Sequence, residues 1–185
     1  MKEVDKILHR MRIKQAIRFI TEESDILDIG ALNSEFFIFL NEKLKKGVGY
    51  DNANSQIIEK TKYCIYPTTF PDENVKNQYF DAAVLLAFFE HIPPDVQQIL
   101  VKDLKNHLKK NAKVIITVPS PMVDFILPVL VFFRLVDHKE FAIHQHYGFK
   151  PKKLIPLFES NGFTLHKRKY FQLGLNNLFV FTNIN

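Results

Sequence analysis

Between residues 3 and 21, apolar side chains at Val4, Ile7, Leu8, Met11, Ala16, Ile17 and Ile20 recur mostly at helical spacing, with basic residues between them. After a polar turn, the short run Ile26-Leu27-Asp28-Ile29-Gly30 has the character of a buried strand. Ser34 is placed to cap a helix over 35–46, which Gly47 ends. A second strand over 48–51, a helix over 55–62 and a strand over 63–66 follow, and 67–78 reads as a loop. Phe80 to Ala87 is nearly all apolar, as expected of a strand covered on both faces of a parallel sheet. Pro93 and Pro94 open a helix with an apolar stripe at Val96, Ile99, Leu100, Leu104 and Leu108. Asn111 supplies a left-handed turn residue before the β-branched strand over 113–118. A helix from Pro151 to Gly162 contains Pro156, which predicts a bend or a lost hydrogen bond. Strands over 163–171 and 178–182 close the pattern as an antiparallel pair.

Seven short strands alternating with helices predict one α/β domain over 1–185, with a doubly wound, mostly parallel sheet and helices on both faces. Within it, 1–22 forms an N-terminal helix and 119–148 an apolar insertion. Composition narrows the class. With 18 Phe and 6 Tyr in 185 residues, the chain has material for a core and is not a disordered segment. A single cysteine, Cys64, rules out a disulfide framework and four-cysteine zinc modules. Charges at Lys2, Glu3, Asp5, Lys6, Arg10 and Arg12 interrupt any apolar signal core, and the run 125–133 is far shorter than the roughly 20 residues of a spanning helix. The expected setting is the cytoplasm. A net charge of +5, spread over several basic patches, selects no polyanion by itself.

In a doubly wound sheet, ligands bind beyond the carboxyl ends of the strands, where strand order reverses. The residues there are Asp28 to Ser34 after the first strand, Gly49-Tyr50-Asp51-Asn52 after the second, and Ala87-Phe88-Phe89-Glu90-His91 after the fourth. A glycine at 30 admits a close approach of backbone, and a carboxylate at 51 can accept both hydroxyls of a ribose. Each has a purely structural alternative: Asp28 as a turn cap, Asp51 as the start of an Asx turn, Glu90-His91 as a helix entry, Phe88 and Phe89 as core.

Taken in order, these pieces resemble the class I S-adenosylmethionine-dependent methyltransferases, especially the small-molecule branch that acts on quinones and sugars. Asp28 and Gly30 match the start of D-x-G-x-G-x-G, and Asp51 matches the acidic residue ending strand two. Phe80-Asp81-Ala82-Ala83-Val84 followed by Glu90-His91 matches the fourth-strand pattern. Leu108-Lys109-Lys110-Asn111-Ala112 echoes the turn before strand five, and His144 or His146, Phe149-Lys150-Pro151 and Asn161-Gly162-Phe163 echo later features. The resemblance spans about residues 20–182 and implies a Rossmann-like methyltransferase fold. It further implies S-adenosylmethionine as cofactor, S-adenosylhomocysteine as product, and cofactor contacts from Asp28, Gly30, Ala31, Asp51, Asn52, Leu86 and Ala87. The loop 65–70 would then lie near the adenine, and His91 is the candidate catalytic residue. Leu32 and Ser34 stand where the family has its second and third glycines.

Two function classes follow. The first is methyl transfer to a small-molecule or lipid-linked acceptor, with 119–148 as wall or lid of an apolar acceptor site. The basic amphipathic helix over 2–18 would then make a peripheral membrane contact. The second is a binding or scaffold domain of the same fold without catalysis, with Leu32 as its mark. No specific nucleic-acid partner is expected, because the N/D-P-P-aromatic motif is absent and Cys64 precedes the fourth strand. A nicotinamide enzyme would need more glycines than Gly30 in the first loop. His138, His144 and His146 lack the cysteine or acidic partners of a metal site, so no metal is expected.

Overall fold

A computed structural model describes residues 3–121 and 149–184. The expected helix, wall or lid over 119–148 and the histidines at 138, 144 and 146 therefore lie almost wholly outside the described residues. The chain begins with α1 (Glu3–Ala16), continued by a 3-10 turn, and enters β1 (Ser24–Ile29). Next come α2 (Glu35–Leu40), β2 (Leu44–Tyr50), β3 (Ile58–Glu59), β4 (Tyr63–Tyr66) and β5 (Phe80–Leu86). The remaining elements are α3 (Pro94–Asn106), β6 (Leu108–Pro119), α4 (Leu154–Glu159), β7 (Phe163–Phe171) and β8 (Asn176–Asn183).

All eight strands form one sheet in the order β3-β4-β2-β1-β5-β6-β8-β7. The five from β4 to β6 run parallel, and β8 pairs antiparallel with both β6 and β7. The α/β class and the antiparallel C-terminal pair are as the periodicity predicts. The eighth strand is β3, found where a helix over 55–62 was expected. Ile58 and Glu59 pair with Ile65 and Cys64, and the Lys60 amide donates to the Tyr63 carbonyl, closing a small hairpin over the edge of β4. Ile58 is β-branched and suits that pairing.

Alternate residues of the central strands point to opposite faces, and each face is covered. On one side Leu27, Ile29, Val48, Ala83, Leu85, Ile116 and Phe179 pack under α3 and α4, where the Phe158 and Phe181 rings stack 4.4 Å apart. On the other, Ile26, Ala82, Val84, Ile115 and Val180 pack under α1 and α2.

The helix expected over 35–46 stops at Leu40. Asn41 turns to φ 49°, and the chain extends from Leu44 because its buried side chain pairs beside Ser24 at the start of β1. Gly47 is therefore a strand residue and not a helix end. A Cβ there would meet the Phe37 ring at 2.6 Å, where that ring stacks on Tyr63. Ser34 makes no capping bond; Asn33 Oδ1 accepts the Glu35 N–H instead, at 2.9 Å. Asn111 adopts the left-handed conformation expected of it (φ 65°), but inside β6. Pro156 sits in the first turn of α4, where an N–H has no partner within the helix, so it breaks nothing.

Candidate functional site

Strand order reverses between β1 and β5, and the predicted site residues gather at that point. Gly30 leaves β1 with φ +84°, and its N–H and that of Ala31 both donate to the Tyr50 carbonyl, at 2.8 and 3.1 Å. This fastens the first loop to the end of β2. The Asn54 side chain adds a bond to the Ala31 carbonyl at 3.4 Å. The glycine is needed for a reason the sequence alone does not reveal. A Cβ at residue 30 would lie 2.5 Å from the Phe88 ring, which packs directly over it. Leu32 is 57% exposed and borders a small recess beside Asp28.

Asp51 leaves β2 with its N–H bonded to the Tyr66 carbonyl. Its Oδ1 accepts the Ala53 N–H at 2.8 Å, so the Asx turn forms and uses one of its two oxygens. Below it, the buried Tyr50 hydroxyl donates to Asp72 at 2.6 Å, and Asp72 in turn accepts from the Asn74 N–H. Burial and the Asp72 partner both push the Tyr50 phenol well above its ordinary range. The loop following β4 is thereby pinned to β2.

At the end of β5, Ala87 takes φ +54°, and its N–H is shared between the Thr117 carbonyl (2.9 Å) and hydroxyl (3.1 Å). A non-glycine residue in this region is strained, and the neighbouring strand holds it there. The chain then forms a 3-10 turn, Phe89–His91. Phe89 enters the core against Phe158, as its apolar character suggests. Phe88 is the ring over Gly30.

Two spaces open at this rim. The larger, of about 410 Å³, is lined by Asp51, Asn52, Thr69, Phe70, Phe88 and His91, and its far wall is the α3 stripe of Val96, Ile99 and Leu100 with Asp103. It lies within the size range of small-molecule sites. The smaller, of about 50 Å³, is a recess bounded by Asp28, Gly30, Ala31, Leu86 and, from α1, His9. Phe88 lines the first and covers Gly30 on the edge of the second. Of the predicted residues, Asp51, Asn52 and His91 thus face one space and Asp28, Gly30, Ala31 and Leu86 the other, with Ala87 at the strand end between. His9 and Asp103 were not foreseen, because α1 and α3 reach the rim only through tertiary packing.

Burial shifts three ionisable groups at this end of the sheet, two of them, Asp28 and His9, in the recess. Asp28 is 4% exposed, and burial, reinforced by the charge of Asp51, raises its pKa to about 8. Glu90 is 2% exposed and raised to about 8 by burial, against the opposing influence of its own N–H and of Arg12 on α1. Burial lowers the pKa of His9, which lies 3.6 Å from Glu35. Asp81 of the fourth-strand pattern is at the opposite edge of the sheet. There it bonds the Asp25 N–H and, with Asp25, the Lys109 ammonium at 2.9 and 3.0 Å. Among the described residues no group of His, Cys, Asp or Glu is arranged to hold a metal.

A family profile described as "Methyltransferase domain" matches residues 2–168. No curated protein matches the chain. Among solved structures, it is similar to the complex between the Haloferax volcanii Trm112 methyltransferase activator and a protein described as the putative methyltransferase. That match has TM-score 0.73 at 10% identity, covering 97% of this chain and 92% of the other. The N-methyltransferase NodS from Bradyrhizobium japonicum, in complex with S-adenosylhomocysteine, gives TM-score 0.66 at 12% identity over 100% and 89%. The 1,6-didemethyltoxoflavin-N1-methyltransferase of Burkholderia thailandensis gives 0.66 at 13% over 98% and 82%. At these identities the structures establish the shared fold.

Proposed function

The chain belongs to the methyltransferase domain family, and from that premise we propose that it moves a methyl group from S-adenosylmethionine to a small-molecule acceptor. The observation that carries this reading is the placing of Asp51 and Asn52, at the end of β2, on the wall of the 410 Å³ cavity beside the glycine turn of β1. When bound, the cofactor supplies a methyl group on a positively charged sulfur. In this reading Asp51 accepts the ribose hydroxyls, Asn52 borders the sugar, and Thr69, Phe70 and Phe88 enclose the base. Asp28, with the backbone of Gly30, Ala31, Leu86 and Ala87, forms an acidic recess suited to the ammonium end of the methionine. The recess is small, and Phe88 must turn away from Gly30 to connect it with the larger cavity. His91 shares the cavity wall with Asp51 and stands with the nucleoside. Positioning and exclusion of water then carry much of the rate, as in other in-line displacements.

The second reading is a domain of this fold that binds no cofactor. Phe88 favours it, since the space beside Gly30 is filled by the protein's own ring. Leu32, 57% exposed, stands on the border of the recess and leaves it open. Calorimetry with S-adenosylhomocysteine decides between them. Binding by the wild type, weakened by about 1.5–3 kcal/mol in Asp51→Ala for a lost charge-assisted hydrogen bond, supports the enzyme. No heat at millimolar ligand supports the scaffold, and an unchanged Kd in Asp51→Ala removes Asp51 from the site.

A further inference from the structure

The turn between β7 and β8 is built against the preference of its residues. Gln172, Leu173 and Gly174 take φ 52°, 55° and 86°, so two side chains occupy backbone positions that suit glycine. The turn is nonetheless firmly held. The Gly174 and Leu175 amides donate to the Phe171 and Gln172 carbonyls at 3.1 and 3.0 Å. The buried Gln172 side chain donates to the Leu8 carbonyl of α1 at 2.8 Å and accepts from the Asn176 amide. What this scaffold holds out is Leu173, 98% exposed. An apolar side chain kept in water on a strained backbone points to a use outside the fold.

The turn belongs to a wider face. β7 and α1 lie alongside each other in opposite directions: the His166 ring meets Phe19 at 6.4 Å, Lys169 Nζ donates to Gln15 Oε1 at 3.1 Å, and Gln172 reaches Leu8. Beside these contacts α1 leaves Ile7 and Met11 exposed. The two segments also share a sign. Residues 6–21 and 160–185 together carry eight Lys and Arg and no Asp or Glu. Of these, Lys14, Arg18, Lys167 and Lys169 are exposed and have no carboxylate partner among the described residues. Cations interspersed with aliphatic side chains match the layer of an anionic bilayer where headgroups meet acyl chains. A nucleic acid would satisfy the cations and leave Leu173 in water, and a second copy of the face would set cation against cation. We propose that the β7–β8 turn and the outward face of α1 form one surface for an anionic membrane. Leu173 enters the acyl boundary, and Lys14, Arg18, Lys167 and Lys169 rest on the headgroups. Neither the cavity nor the cofactor enters into it.

The chain contains no tryptophan, so Leu173→Trp places a single reporter at the turn. With vesicles of phosphatidylcholine containing about one-third phosphatidylserine, its emission is expected to shift to the blue and to be quenched by lipids brominated in the upper acyl chain. With phosphatidylcholine alone it should remain that of a solvated indole. In co-sedimentation on the anionic vesicles, Leu173→Asn should lower the partition coefficient of the full chain about tenfold. Lys167→Gln and Lys169→Gln should each lower it about fivefold. Asn suits the left-handed backbone, so Leu173→Asn should unfold in urea no earlier than wild type, and a loss of binding without a loss of stability separates docking from a structural role. A wild type left in the supernatant with the anionic vesicles overturns the proposal, as does an unshifted emission from Leu173→Trp or an unchanged partition coefficient in Leu173→Asn. Binding to duplex DNA without binding to vesicles, lost in the two lysine variants and kept in Leu173→Asn, assigns the face to nucleic acid and overturns it as well.

Discussion

Gly30→Ala probes the rim through a single atom. Its cost has two sources that the structure separates. An L-residue held at φ +84° loses about 1–2 kcal/mol relative to glycine. The new Cβ would also stand 2.5, 2.7 and 2.9 Å from three carbons of Phe88, each well inside van der Waals contact. The ring must retreat, and overpacking of this kind costs about 1–3 kcal/mol. Together they predict a loss of about 2–5 kcal/mol, large beside the roughly 5–15 kcal/mol of a whole domain but survivable. Urea denaturation of wild type, Gly30→Ala, Phe88→Ala and the double variant closes a cycle. With the ring gone, only the backbone share remains, so Gly30→Ala should cost about 1–2 kcal/mol in the Phe88→Ala background and the coupling should be about 1–3 kcal/mol. Equal costs in the two backgrounds would refute the packing account of this glycine, and a cost under about 1 kcal/mol in the wild type would refute both parts.

The buried acids predict a pH dependence of stability. For Glu90 the folded pKa of about 8 lies above the ordinary 4.5, so the folded state holds its proton longer, and the stability this confers is full below about 4.5 and lost as pH rises to about 8. Denaturation between about pH 5 and 7.5 should therefore show Glu90→Gln shallower than wild type by about 1.4 kcal/mol per pH unit, with Asp28→Asn behaving alike; parallel curves would mean that Glu90 is ionised in the fold. The exposed stripe of α1, Ile7, Arg10, Met11 and Lys14, with Arg18 in the turn after it, is expected to carry the protein onto anionic vesicles and not neutral ones. Co-sedimentation checks it: Ile7→Asp with Met11→Asp should lower the bound fraction, and a wild type left in the supernatant with both lipids ends the idea.

The strands covered on both faces were legible because burial on two sides demands continuous apolar runs, as in Phe80 to Leu86 and Val114 to Val118. Asp51 and Gly30 were legible because a doubly wound chain places strand ends at its ligand crevice. Ile57 and Ile58, flanked by polar residues, fit a helix or a strand equally, and only the open edge of β4 decided between them. Phe88 reads as an ordinary core residue until its ring is seen over Gly30, a contact across 58 positions of sequence that local pattern does not carry. The same holds for His9 at the recess and for the burial of Glu90, both products of α1 folding back on the rim.

Among the described residues, the nine of β7 form the outer strand at one end of the sheet, next only to β8. Such a border offers free backbone groups to any other strand, and Lys167, Arg168 and Lys169 stand along it as three like charges in succession. Two molecules approaching border to border would bring these cations together, so colloidal behaviour is tied to ionic strength. At about 1 M salt, where the Debye length shrinks to about 3 Å, that repulsion fades, and self-association along β7 is expected to rise.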